Sequence, residues 1–169
     1  MGPLSAKLVL RYGIKKPLAG GLLIAALGLL LFARAPVDGS YLTDVLPPMI
    51  ILGLGIGVSF PSLMSLAMSG ATREDAGLAS GLVNTTAQVG GALGLAVLAT
   101  LSASRSKDLI AAGESTASAL VGGYHLAFLV GAIFAAVAAT LGGLLLPSTA
   151  PGGAHAEEPR RLEPAEAAD

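Results

Sequence analysis

The sequence contains no cysteine and no tryptophan, and only 12% of its 169 residues are charged. Without cysteine the chain has no disulfide, no thiolate metal site and no catalytic thiol. A soluble domain carries about 25% charged residues, whereas here 53% of residues are hydrophobic and the mean hydropathy is +0.75. We therefore expect an integral membrane protein. The formal net charge of −1 argues against a nucleic-acid partner.

Residues with catalytic potential are also scarce. His125 and His155 lie on different segments and make a poor metal pair. His125 could carry a proton, but its place beside Tyr124 near the end of an apolar segment favours an interfacial role. We find no nucleophile–base pair and no phosphate-binding loop in the sequence. The sequence therefore predicts neither an enzyme nor a cofactor or metal site.

Long apolar segments predict an all-α membrane protein with four transmembrane helices. At about 1.5 Å per residue, the last three segments are long enough for a ~30 Å hydrocarbon core, and the first is at the short end of the usual range for a span. Small and polar residues at 102–119 predict a loop, with a short surface helix at 107–112 as an option. The predicted spans are 17–34, 45–69, 77–101 and 120–146, preceded by a cytoplasmic loop segment at 1–16 and followed by a disordered cytoplasmic tail at 147–169.

The third predicted span carries a polar stripe. Ser80, Asn84 and Gln88 recur at every fourth residue and so share one helix face. Polar amides are costly against lipid, so this face should meet other helices or a water-filled cavity. It is either a row of interhelical hydrogen bonds or the wall of a substrate pathway, and both interpretations stay open. Glycine pairs with the spacing of tight helix packing lie on the same span: Gly77–Gly81 and Gly90–Gly94.

The second predicted span contains Pro61 near its middle, where a proline should kink the helix. Its serines recur at spacings of three or four, although a serine often bonds back to its own helix. From the two spans together we predict Ser59, Ser62, Asn84 and Gln88 as residues of a substrate cavity or helix interface.

Charge placement predicts the orientation in the membrane. With the N-terminus inside, seven of the ten Lys and Arg residues are cytoplasmic and three are outside, or five against three without the tail arginines. The interior of the spans contains no Asp, Glu, Lys or Arg. A transporter coupled to protons would therefore need its titrating carboxylate elsewhere.

Three segments resemble a known family. The stretch LVLRYGIKK is similar to a cytoplasmic loop motif, G-x-L-x-D-R-x-G-R-K, although Leu10 stands in the place of the acid. Residues 76–94, AGLASGLVNTTAQVGGALG, resemble a penultimate helix, and LGLGIGVSFPSL in the second span resembles a cavity-lining helix. All three resemble the C-terminal end of major facilitator superfamily transporters of the fourteen-helix drug:proton antiporter branch. The residues that match the loop motif are Leu8, Arg11, Gly13 and Lys15.

The resemblance implies that the chain corresponds to the last four helices of fourteen, in a proton-driven multidrug efflux transporter of the inner (plasma) membrane. The implied partners are the lipid bilayer, a small drug-like substrate and the missing N-terminal helices, without which we expect no transport. One alternative is a self-sufficient four-helix exporter acting as an oligomer, although such exporters carry a membrane-embedded Glu that span 17–34 lacks. Another is a non-transporting membrane subunit.

Overall fold

The computed structural model describes residues 13–72 and 74–145, and within these ranges it contains long helices and no strand. Four of the helices are long and apolar enough to cross a membrane. The all-α membrane fold with four transmembrane helices is thereby confirmed. The predicted tail at 147–169 and the motif residue Arg11 lie outside the described residues. The helices are α1 (Lys15–Phe32), α2 (Leu46–Met68), α3 (Ala76–Ala111) and α4 (Thr116–Leu145).

Helix α1 lies between α2 and α4 and packs against both, while α3 packs mainly against α4. The spatial order is therefore α2, α1, α4, α3. Helix α3 is the least buried of the four. Because α3 lies at one end of this order, much of its surface, including the predicted polar stripe, is exposed.

Glycines bring α1 and α2 into backbone contact. A Cβ atom added to Gly21 would lie 2.8 Å from the carbonyl oxygen of Gly55, and one added to Gly28 would lie 2.8 Å from the amide nitrogen of Leu52. No side chain larger than hydrogen fits at these points unless the helices move apart. The hydrophobic effect is weak between helices in lipid, so this contact is stabilised by the close van der Waals packing that small residues allow.

Helix α2 begins earlier than predicted. The residues Tyr41–Val45 form one π-helical turn that continues into α2. The Asp44 carboxylate accepts hydrogen bonds from the Ser40 amide and the Thr43 hydroxyl, both at 2.8 Å. Asp44 therefore stabilises the start of this turn from inside it.

The loop predicted at 102–119 is wrong in its extent, because α3 continues to Ala111. The helix ends in a Schellman motif at Gly113, which has a φ of 92°. The Gly113 amide donates to the Ile110 carbonyl and the Glu114 amide to the Leu109 carbonyl, both at 3.0 Å. Helix α4 then begins almost at once, since the Ser118 amide donates to the Ser115 hydroxyl at 3.2 Å. The connection is a tight turn.

Candidate functional site

The two serines predicted on α2 are buried. The Ser59 hydroxyl donates to the Gly55 carbonyl at 2.7 Å, and the Ser62 hydroxyl donates to the Val58 carbonyl at 3.1 Å. Each serine is therefore satisfied by its own helix. Ser59 also lies at the α1 contact, because a Cβ atom on Gly21 would be 2.8 Å from its amide nitrogen.

Pro61 lies inside α2 between these two serines. It has no N–H to donate to the carbonyl of Gly57, so the helix loses one backbone hydrogen bond there. The hydroxyls of the neighbouring serines donate to the carbonyls of Gly55 and Val58, which lie on either side of Gly57 along the helix. The kink itself stays a prediction.

The amides predicted on α3 are on an open surface. Asn84 and Gln88 are exposed, and no described helix covers them. The glycines of the same half of α3 are equally open, because a Cβ atom added to any of them would meet nothing within 4 Å. Among the described residues, the tight packing predicted at the pairs Gly77–Gly81 and Gly90–Gly94 does not occur. The open glycines are Gly77, Gly81, Gly90, Gly91 and Gly94.

The helix face that carries Gln88 continues into the contact between α3 and α4. Gln88, Leu95 and Ser102 are spaced by seven residues, which places them on one face of the helix. Ser102 is buried, and a Cβ atom added to Gly123 of α4 would lie 2.5 Å from its carbonyl oxygen. One face of α3 therefore contacts α4 near the turn and is uncovered at the level of Gln88.

A cavity of about 680 Å³ lies along this face, within the range of about 300–1,000 Å³ typical of small-molecule sites. Its lining comes from α1, α3 and α4 and is almost entirely apolar, with Lys107 as the charged member. None of the four predicted site residues lines it. Its larger side chains include Leu29, Leu95, Leu98, Leu120, Tyr124 and Phe128.

Sequence reasoning missed this cavity because its residues come from three helices. The aromatic ring of Phe128 stacks on Phe32 with ring centroids 5.1 Å apart, which fixes α1 against α4 beside the cavity. Apolar residues at helical spacing were the signal available, but in a membrane protein the same spacing marks lipid-facing surfaces as well. Only the helix arrangement separates the two.

The loop motif falls partly within the described residues. Gly13 is buried and has a φ of 74°, the left-handed region that favours glycine. Lys15 begins α1 directly after it. The glycine position of the motif is therefore one where a side chain would be strained.

The comparisons with known proteins agree with this architecture. The family model of the Major Facilitator Superfamily matches residues 1–95, more than half of the chain. The chain belongs to the Major Facilitator Superfamily. The resemblance stated from the sequence is thus confirmed at the level of the superfamily. No solved structure gives a significant match.

Members of the superfamily with related sequences include several proteins named for resistance or export. A puromycin resistance protein of Streptomyces alboniger is 37% identical over 138 residues, covering 77% of this chain and 27% of that protein. A cephamycin export protein of Amycolatopsis lactamdurans is 36% identical over 141 residues, covering 82% and 28%. A multidrug resistance protein of Mycobacterium tuberculosis is 33% identical over 98 residues, covering 58% and 18%. The present chain spans about a quarter of the length of the first two relatives.

Proposed function

We propose that this chain is the C-terminal part of a proton-driven efflux transporter for drugs or other small molecules. The relatives named for puromycin resistance and cephamycin export support this function. Because the chain spans about a quarter of each of them, we expect it to transport only together with further helices. Superfamily transporters bind substrate between two halves built from repeated helix groups.

The open face of α3 is the observation that carries the proposal. A helix with exposed Asn84 and Gln88 and a row of exposed glycines is costly against lipid. Such a face is suited to contact with other helices, which the glycines would allow to approach closely. We assign these contacts to the N-terminal helices of the transporter.

The substrate route would follow the same face. The apolar cavity beside Leu95 and Phe128 provides surface for the hydrophobic part of a drug. Asn84 and Gln88, about three and two helical turns from Leu95, provide hydrogen-bond donors and acceptors. Ser59 and Ser62 would then stabilise the α1–α2 contact that supports the route.

Proton coupling would depend on groups outside this chain's membrane core. Among the described residues the charged side chains lie at helix ends or in the connections. A central carboxylate is the usual proton carrier in such transporters. We therefore place the titrating group on the N-terminal helices.

A chimera tests the proposal. In the chimera, this chain replaces the region of the Streptomyces alboniger puromycin resistance protein that aligns with it. Puromycin resistance is then measured in a hypersensitive host. We expect resistance from the chimera and none from the chain expressed alone. The unmodified resistance protein serves as the positive control.

Two results would contradict the proposal. Export by the chain alone would favour the four-helix oligomer. A chimera that inserts into the membrane in normal amounts but confers no resistance would favour the non-transporting subunit.

A further inference from the structure

A second cavity, of about 420 Å³, lies where the end of α1, the last turns of α3 and the first turns of α4 meet. Two arginines line it: Arg34, from the segment after α1, and Arg105, from α3. Both are exposed, and neither forms an ion pair with a carboxylate in the described part of the chain. Two guanidinium groups at one cavity, with no carboxylate partner among the described residues, indicate a site for an anion, because the planar fork of arginine matches phosphate and carboxylate oxygens.

The rest of the lining is largely apolar. Leu30 of α1 and Leu129 of α4 line the same cavity and are 41% and 43% exposed. Leu126 adjoins them on α4. A small inorganic anion has no apolar part that could contact this surface, whereas an amphiphile would contact the arginines and the leucines together.

The depth of the site matches the level of lipid headgroups. No charged residue occurs from 76 to 104, a stretch of about 43 Å at 1.5 Å per residue, and Arg105 follows directly. Arg34 is likewise the first charged residue after the apolar part of α1. Charges that bound such stretches lie at the membrane–water interface.

The loop that carries Arg34 is fixed to α4. The Nε2 atom of His125 lies 2.7 Å from the carbonyl oxygen of Ala35. Because a carbonyl can only accept, Nε2 carries the proton in this contact. His125 is therefore a positioning residue, which holds the backbone next to Arg34 beside the cavity.

We propose that this cavity binds the headgroup of an anionic membrane phospholipid. The two arginines donate hydrogen bonds to the phosphate oxygens, and the leucines contact the first part of the acyl chains. This site is separate from the cleft along α3, and it does not depend on whether the protein transports anything.

The first test uses the unaltered protein. The full chain is purified in a mild detergent, and its retention of phosphatidylglycerol and phosphatidylcholine with identical acyl chains is compared by native mass spectrometry. We expect a preference for phosphatidylglycerol of roughly 25-fold, about fivefold for each arginine. Equal retention of the two lipids would overturn the proposal.

Variants then locate the preference. We expect Arg34→Gln and Arg105→Gln each to reduce it about fivefold. Lys107→Gln is the matched control, because it removes a charge two residues from Arg105 on a side chain that lines the other cavity. An equal reduction in Lys107→Gln would show general surface attraction and would contradict a defined site.

Competition with inorganic phosphate distinguishes a site for a lipid headgroup from a site for free phosphate. We expect millimolar phosphate to leave bound phosphatidylglycerol in place, because it cannot contact the leucines. Displacement of phosphatidylglycerol by phosphate at this concentration would identify a simple anion site and overturn the assignment to a lipid.

Discussion

A Cβ atom added to Gly55 would lie 2.7 Å from the carbonyl oxygen of Gly21, so the backbones of α1 and α2 touch where these two glycines face each other. Ser59 packs one turn further along α2, with its hydroxyl bonded to the Gly55 carbonyl. The contact therefore leaves no polar group of Ser59 unpaired.

Gly55→Ala should destabilise the protein, because the new methyl group would overlap the α1 backbone. We expect the free energy of unfolding to fall by about 1–3 kcal/mol, as for other overpacked sites. The measurement is denaturant unfolding of the full chain in detergent micelles. Gly53→Ala, two residues away with nothing within 4 Å, is the control and should be neutral or slightly stabilising. Equal losses in the two variants would mean that α1 and α2 do not touch.

The sequence predicted tight packing at glycines that no described helix of this chain covers. Gly77–Gly81 and Gly90–Gly94 have the expected spacing, yet the structure shows contacts at Gly21, Gly28 and Gly55. Spacing identifies a face that allows close approach, but whether a helix lies against it depends on the whole arrangement. For α3, no described segment of the chain lies against this face.

The length of α3 could have been predicted from the sequence. Between residues 94 and 113 there is neither glycine nor proline, and Gly113 is a suitable end for a helix. The small polar residues at 102–106 suggested a loop, but Ser102 and Ser106 are buried against α4. They allow close packing of the two helices, and the Ser106 hydroxyl is satisfied by the Ser102 carbonyl at 3.0 Å.

Gln88→Leu should alter the substrate profile of the chimera more than its insertion. If Gln88 contacts substrates or a partner helix, each lost hydrogen bond costs about 0.6–1.7 kcal/mol, roughly a three- to twentyfold change. The measurement is relative resistance to a panel of drugs, with the amount of membrane protein determined in parallel. Thr140→Val on α4 is the control, since that hydroxyl bonds to the Ala136 carbonyl of its own helix at 2.8 Å. An unchanged drug profile in Gln88→Leu would remove this residue from the proposed route.

The proposed orientation can be tested with single cysteines, because the chain has none of its own. Ala112→Cys lies in the turn between α3 and α4, and Glu74→Cys lies between α2 and α3; both positions are exposed. In intact cells we expect a membrane-impermeant maleimide to label the first and not the second, because positive charge favours a cytoplasmic N-terminus. Permeabilised cells should show labelling of both. The opposite pattern in intact cells would reverse the topology.

His125→Ala should weaken the junction between α4 and the segment after α1. It removes the hydrogen bond to the Ala35 carbonyl, which we expect to lower the free energy of unfolding by about 0.5–1.5 kcal/mol. It should also reduce the preference for phosphatidylglycerol, because Arg34 adjoins the released carbonyl. His125→Gln supplies an amide N–H at a similar reach and should restore both properties, as measured by denaturant unfolding and native mass spectrometry. If glutamine restores stability but not lipid preference, His125 does not position Arg34, and its role is confined to holding the two helices together.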